Sequence, residues 1–247
     1  MAQPGIHFDE HVAQRYDEGS PEMFDPAVLT PTVDFLAEQA RGGPVLELGI
    51  GTGRVALPLS ERGLAVQGID ESEPMVAQLR AKPGADAIPV TIGDFATTVV
   101  GEQFALVYLV FNTITNLVTQ EAQVACFRSA AAQLRPGGRF VIEVFIPVLR
   151  VLPPGTRHHV FHHAPGRLSF DEYDVVNQRL RSHHYTFGDD GRYEVSSPPF
   201  RYVWPAELDL MAQLAGLRLR ERWAGWNREP LTSESESHVS VWERPLG

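Results

Sequence analysis

The chain has 247 residues, 43% of them hydrophobic and 21% charged, with a formal net charge of -10 and a pI near 5.3. That mixture suits a globular protein long enough to bury a substantial core, and the acidic balance without any basic run argues against a nucleic-acid partner. A single cysteine, Cys126, excludes an internal disulfide and a cysteine-held metal, and its neighbours Val124, Ala125 and Phe127 suggest a buried apolar position. The first residues lack a basic start followed by an apolar run, and the longest apolar stretch, "FALVYLVF", falls well short of the about 20 residues a membrane helix needs. The expectation is a cytoplasmic protein with no membrane span.

In chain order, residues up to about 25 mix His, Asp, Glu, Gly and Pro with a few aromatics. "PAVLTPTVDFLAEQAR" has apolar residues at helical spacing and "GGP" ends it. "VLEL" predicts a short buried strand, "GRVALPLSERG" a helix despite Pro58, and "LAVQGID" a second strand. "SEPMVAQLRAK" predicts a helix with Ser72 as N-cap, "IPVTIGD" a third strand, and "FALVYLVF" a fourth, covered on both faces. "TQEAQVACFRSAAAQLRPGG" predicts a helix, with Thr119 as N-cap candidate and Pro-Gly-Gly at its end, and "RFVIEVFI" a fifth strand. Strand and helix thus alternate about five times, which predicts a parallel sheet with helices on both faces.

The rhythm then changes. From 147 to 203 aromatic and polar residues alternate, and Gly-Asp-Asp-Gly at 188–191 marks a hairpin turn. This predicts an antiparallel insertion after strand five. "PAELDLMAQLAG" predicts a further helix, and "LRLRERWAG" and "HVSVWER" two strands that complete the main sheet. The expected division is 1–146 for an N-terminal helical segment and the cofactor-binding core, 147–203 for an inserted substrate lid, and 204–247 for the end of the core.

The densest motif is "VLELGIGTGR" at 45–54. Glycines between a strand and a helix permit positive φ and let backbone approach a ligand beside free helix amides. A dinucleotide fingerprint would read G-x-G-x-x-G; counted from Gly49, its third glycine would fall at Arg54, and the spacing here is G-x-G-x-G behind Glu47. Asp70 ends the second strand, where a carboxylate can accept hydrogen bonds from both hydroxyls of a ribose. Asp94 follows the third strand at the same sheet edge, and Phe95 beside it can wall a flat ring.

Together, "ELGIGTG", "GIDES", "GDF" and "LRPGGRFVIEVF" resemble the class I S-adenosylmethionine-dependent methyltransferases, over roughly residues 30–146. The resemblance implies a Rossmann-like α/β fold, a seven-stranded and mostly parallel sheet with helices on both faces, here with an antiparallel β lid inserted after strand five. It implies S-adenosylmethionine as cofactor, with Gly49, Gly51 and Gly53 under its methionyl part and Glu47 fixing that loop. It assigns Asp70 to the ribose, Glu71 and Met75 to the border of the adenine, Asp94 and Phe95 to its recognition, and Phe111 to the vicinity of the sulfonium. Tyr16 and Asp17 in "AQRYDEG" match an N-terminal pair that closes over the cofactor.

The implied activity is methyl transfer to oxygen or nitrogen of a small metabolite, by an in-line displacement that rests on positioning. Amino-sugar N-methyltransferases, which the chain also resembles in outline, carry a histidine after strand four where this sequence has Asn116; Asn112 and Asn116 are therefore acceptor-side candidates. In "HHVFHH", a regular strand would put His159 and His163 on one face. His163 is the third acceptor-side candidate, and no acidic ligands accompany the histidines to suggest a metal. The aromatics of the insertion, from Phe161 to Trp204, roof a pocket, form a small core of their own, or face a second copy in a homodimer. "WAGWNREPLTSESES" brings Trp223, Trp226 and Arg228 to a rim or to ordinary packing. A non-catalytic cofactor-binding module and, further off, a nicotinamide-dependent oxidoreductase are the alternative readings.

Overall fold

The structure is a computed structural model that describes residues 8–188 and 190–246. The first seven residues, and Asp189 of the Gly-Asp-Asp-Gly turn, lie outside the described residues. The chain opens with helix α1 (Glu10–Gly19), capped by the Asp9 carboxylate, which accepts from the Val12 amide at 3.0 Å. The sequence reading marks no helix boundary in this stretch: its apolar residues are too few for a clear stripe, and only Ala13 is buried. Helix α2 (Pro26–Ala40) keeps Pro31 inside its first turns and ends on Arg41 in the left-handed region.

The core strands are β1 (Val45–Leu48), β2 (Val66–Asp70), β3 (Val90–Ile92), β4 (Phe104–Leu109) and β5 (Leu134–Phe145). Between them run α3 (Ala56–Glu61), α4 (Glu73–Arg80) and α5 (Gln120–Gln133). Ser72 caps α4 by accepting from Met75 N, and Thr119 caps α5 by accepting from Ala122 N. All six residues of β4 are buried, as its unbroken apolar run requires of a central parallel strand.

An antiparallel group follows: β6 (His158–Ala164), β7 (Arg167–Asp174), β8 (Arg179–Phe187), β9 (Tyr193–Ser196) and β10 (Pro199–Arg201). Helix α6 (Pro205–Leu214) and strands β11 (Arg218–Trp223) and β12 (Ser237–Glu243) return to the core.

The main sheet has the order β11-β12-β5-β4-β1-β2-β3, parallel throughout except where β12 runs against β5 and β11. Its two faces carry separate apolar layers. One holds Phe127, Phe140 and Trp242, with Phe127 meeting each of the others edge-on at 5.1 and 5.3 Å. The other holds Val33, Phe35 and Leu36 of α2 against Val45, Leu106 and Val241. Cys126 is fully buried in the first layer. The second sheet is built of β10-β8-β7-β6 with β9 also on β8.

The second sheet is tied to the core by one buried polar cluster. Arg201 on β10 donates to Glu207 of α6 at 2.7 Å, to Gln178 at 3.0 Å, and to Gln123 of α5. Glu207 also accepts from Gln120 and Gln178, each at 2.8 Å. Burial pushes the Glu207 carboxyl up, but these donors outweigh it and hold its pKa below the usual value.

Candidate active site

Strands β1, β2 and β4 end at one edge, and the loops beyond them form the site. After β1 the chain turns through Gly49, Gly51 and Gly53, with φ of +71°, +54° and +80°. Two of these glycines have no room for a side chain. A Cβ at Gly49 would lie 2.7 Å from Thr113 Cγ2, and one at Gly53 2.3 Å from Leu79 Cδ1. Asp70 locks the turn. One carboxylate oxygen accepts from Gly51 N at 2.7 Å and the other from Ser72 N at 2.8 Å, joining the loops after β1 and β2. Burial raises the pKa of Asp70, and its backbone donors oppose that rise.

Glu47 sits beneath the turn, 3% exposed, and accepts from the Tyr108 hydroxyl at 2.6 Å. Burial pushes its pKa up to about 8, against the lowering effect of that hydrogen bond.

A cavity of about 290 Å³ opens over this floor. Of the residues expected at a cofactor, Tyr16, Gly49, Gly51, Asp70, Glu71, Met75 and Phe95 line it. Glu47 and Gly53 support it from behind. Asp94, next to Phe95, is not among the lining residues; its carboxylate accepts from Ala96 N at 2.8 Å. Phe111 lines a neighbouring cavity, beneath the Arg54 guanidinium, which lies 5.3 Å from its ring centre. Tyr16 is held by Phe8 edge-on at 6.0 Å. Asp17 plays another part: it accepts from Thr52 Oγ1 at 2.6 Å and pairs with Lys82 at 2.5 Å, strapping α1 onto the glycine turn.

The neighbouring cavity, about 840 Å³, lies between the core edge and the second sheet. Phe8, Tyr16, Thr113 and Asn116 belong to the walls of both. Phe111 and Asn112 both have positive φ, 55° and 62°, a strained arrangement for non-glycine residues. Glu143 on β5 holds it: Phe111 N donates to its carboxylate at 2.9 Å, and Trp226 Nε1 donates to the other oxygen at 2.9 Å. Asn112 Oδ1 in turn accepts from Phe145 N at 2.7 Å, so this side chain secures the loop and caps no helix. Trp226 also packs edge-on against Phe35, and Arg228 stacks over Phe35, so this segment packs on α2.

His163 does not share a face with His159, contrary to the regular-strand expectation. A β-bulge between Val160 and His162 inserts one residue. His159 therefore stands opposite Asp171, and both line the cavity; His163 stands opposite Leu168, and neither does. The same alternation divides the aromatics. Phe161, Tyr173 and Phe200 line the cavity, while Phe170, Tyr185 and Phe187 stack in a row on the opposite face. Tyr173 and Tyr202 also form a small core with Leu180.

The sequence reading missed Asp171 and Ser182, which line the same cavity as His159 and His184. The i, i+2 spacing of Ser182 and His184 on β8 was visible, but not which face turns inward. Among the described residues no group of His, Cys, Asp and Glu is arranged to hold a metal ion.

Residues 45–138 match a family model described as a methyltransferase domain. The CcbJ methyltransferase from Streptomyces caelestis is 34% identical and superposes with a TM-score of 0.87, covering 99% of this chain and 100% of that one. The chain belongs to the class I S-adenosylmethionine-dependent methyltransferases. A curated relative from a Streptomyces species, cypemycin N-terminal methyltransferase, is 26% identical over 93% of this chain and 97% of its own. The S-adenosylmethionine-bound amino pentose methyltransferase CalS10 from Micromonospora echinaspora shares the fold, with a TM-score of 0.68 at 20% identity, over 98% of this chain and 100% of that one.

The methyltransferase is therefore an enzyme with S-adenosylmethionine as cofactor; the non-catalytic and nicotinamide alternatives fall away. Its residues fit that group: a turn at Gly49 with no space for a side chain, and the half-buried Asp70 carboxylate beside it at the mouth of the cavity.

Proposed function

We propose that this methyltransferase transfers a methyl group to nitrogen of a small metabolite that binds in the larger cavity, under a lid formed by residues 147–203. The observation that carries this reading is the pair of adjoining cavities with Tyr16, Thr113 and Asn116 in their common wall. The smaller one matches the cofactor in its glycine floor, and the larger has about 840 Å³ for an acceptor. The curated N-terminal methyltransferase relative favours nitrogen over oxygen. The net charge of -10 favours a small acceptor over a nucleic acid.

In this reading Asp70 accepts from the ribose hydroxyls with the lone pairs its two backbone donors leave open. Glu71, Met75 and Phe95 border the adenine, and Gly49 and Gly51 leave space for the methionyl chain. Tyr16 and Phe111 close the reacting end against water. The bound cofactor supplies an already activated methyl group, so the chain's task is orientation and exclusion of water. Asn116, in the common wall, donates a hydrogen bond that orients the acceptor.

Incubation with S-adenosylmethionine and a panel of amines and alcohols, read by mass spectrometry, tests this. Methylated amines are expected. Methylation confined to hydroxyl acceptors contradicts the choice of nitrogen.

A further inference from the structure

On the core edge, Asn116 after β4 lines the wall but takes no proton at neutral pH. The lid's inner face offers two histidines. His184 has both ring nitrogens engaged, Nδ1 with Ser169 Oγ and Nε2 with Ser182 Oγ, each at 3.1 Å. His159 differs. Its Nδ1 is buried with no hydrogen-bond partner, although the residue lines the acceptor cavity. An orphaned buried nitrogen costs stability unless something outside the protein satisfies it. Directly across the β6–β7 pair stands Asp171, whose carboxylate accepts from the Ser182 hydroxyl.

We propose that His159 is the acceptor-facing general base of this enzyme, carried by the lid, and that Asp171 is the positioning residue that steadies the imidazolium it forms. This rests on the reading that the acceptor is an amine. A basic aliphatic amine arrives protonated at neutral pH. Its N–H proton passes to the His159 imidazole. The freed nitrogen lone pair forms the bond to the methyl carbon as the carbon–sulfur bond breaks, and that electron pair stays on sulfur as a neutral thioether. The product leaves as a methylated ammonium ion, and His159 returns its proton to solvent. The bulge at Phe161 puts His163 on the other face, so that His159 is the β6 histidine that lines the cavity. The other titratable or charged groups around the cavity are Tyr16 of α1, Arg150, Tyr173 of β7, His184 of β8 and Glu236. Arg150 is occupied by the backbone carbonyls of Ser233, Glu234 and Ser235.

Wild type, His159→Asn, His159→Gln and Asp171→Asn are compared with D-glucosamine, alanyl-alanine and prolinamide as acceptors. With the best of these, both His159 variants are expected to lose about 10²–10³-fold in kcat at neutral pH. Their S-adenosylmethionine affinity by calorimetry should be unchanged. The deficit should shrink as pH rises toward the amine's own pKa, which loss of a merely structural contact would not produce. Asp171→Asn should show a smaller deficit. Independently of turnover, the His159 Cε1–H signal in the S-adenosylhomocysteine complex should move when the best amine is added, and should move less in Asp171→Asn. Wild-type kcat and an unchanged pH profile in the His159 variants overturn the proposal alone, as does a His159 signal that the amine does not move. Failure of wild type to methylate any of the three amines while it binds S-adenosylmethionine overturns the amine reading and this inference together.

Discussion

The two cavities of this enzyme are built on different principles. The cofactor side is a short stretch of chain folded on itself: a glycine turn, a carboxylate that accepts two backbone amides, and a helix strapped over them by Asp17. The side proposed for the acceptor is a sheet face whose chemistry depends on register, where one inserted residue separates the faces of His159 and His163. The first is specified by local spacing, the second by pairing over long distances. Local specification makes a floor with little room for an added atom at Gly49 and Gly53, whereas a face set by register can change its side chains without disturbing the backbone. A shared cofactor with varied acceptors is what such a division allows.

The joint between the regions is the place to break the comparison most severely. Arg201→Leu leaves the Glu207 carboxylate, 15% exposed, without its cation and should destabilise the protein by about 3–5 kcal/mol, read by denaturant unfolding. Wild-type stability in that variant would mean the lid is not anchored through this cluster. The same pair predicts acid sensitivity. Because the folded pKa of Glu207 is depressed, its contribution is present above the unfolded carboxyl pKa and is lost as pH falls through the folded value.

Gly49→Val tests the floor. The new Cβ meets Thr113 at 2.7 Å on a backbone with φ of +71°. Strain and overpacking should together cost about 2–5 kcal/mol and abolish cofactor binding, read by melting and calorimetry. A variant that binds the cofactor normally would show that the turn is not the floor.

How much of this was legible in advance follows from the same contrast. The alternation of strands and helices, the Ser72 and Thr119 caps and the glycine turn all rest on residues a few positions apart, and sequence periodicity reports such relations directly. The place of Asp70 beside the turn was legible because it ends a strand there. The Asx turn of Asp94 onto Ala96 was not, because it needs no signal beyond one common residue type. His163 was read on the face of His159 because a bulge has no fixed signature, and a single-residue slip exchanges the two faces of a strand. Helix α1 escaped for lack of an apolar stripe. The Arg201–Gln123–Glu207 cluster escaped because its members lie on β10, α5 and α6, far apart in the chain.

Two milder substitutions sharpen the cofactor side. Asp70→Ala should weaken S-adenosylmethionine by about 1–3 kcal/mol, with calorimetry as the check; unchanged affinity would remove Asp70 from the ribose. Glu47→Gln keeps an acceptor for Tyr108 and removes a titration. The Glu47 pKa rises from 4.5 to about 8 on folding. Between those values the native state holds a proton the unfolded chain has released, so wild-type stability falls as pH rises. The melting temperature of Glu47→Gln relative to wild type should therefore climb from pH about 5 to about 8. A constant difference would show that Glu47 does not titrate in that window.

The central claim is that cofactor and acceptor meet across the wall formed by Tyr16, Thr113 and Asn116. A crystal structure of the S-adenosylhomocysteine complex tests it most directly. The account predicts ribose hydroxyls on Asp70 and a sulfur that opens into the cavity carrying His159. A sulfur directed away from that cavity, or a ribose held elsewhere, would contradict it.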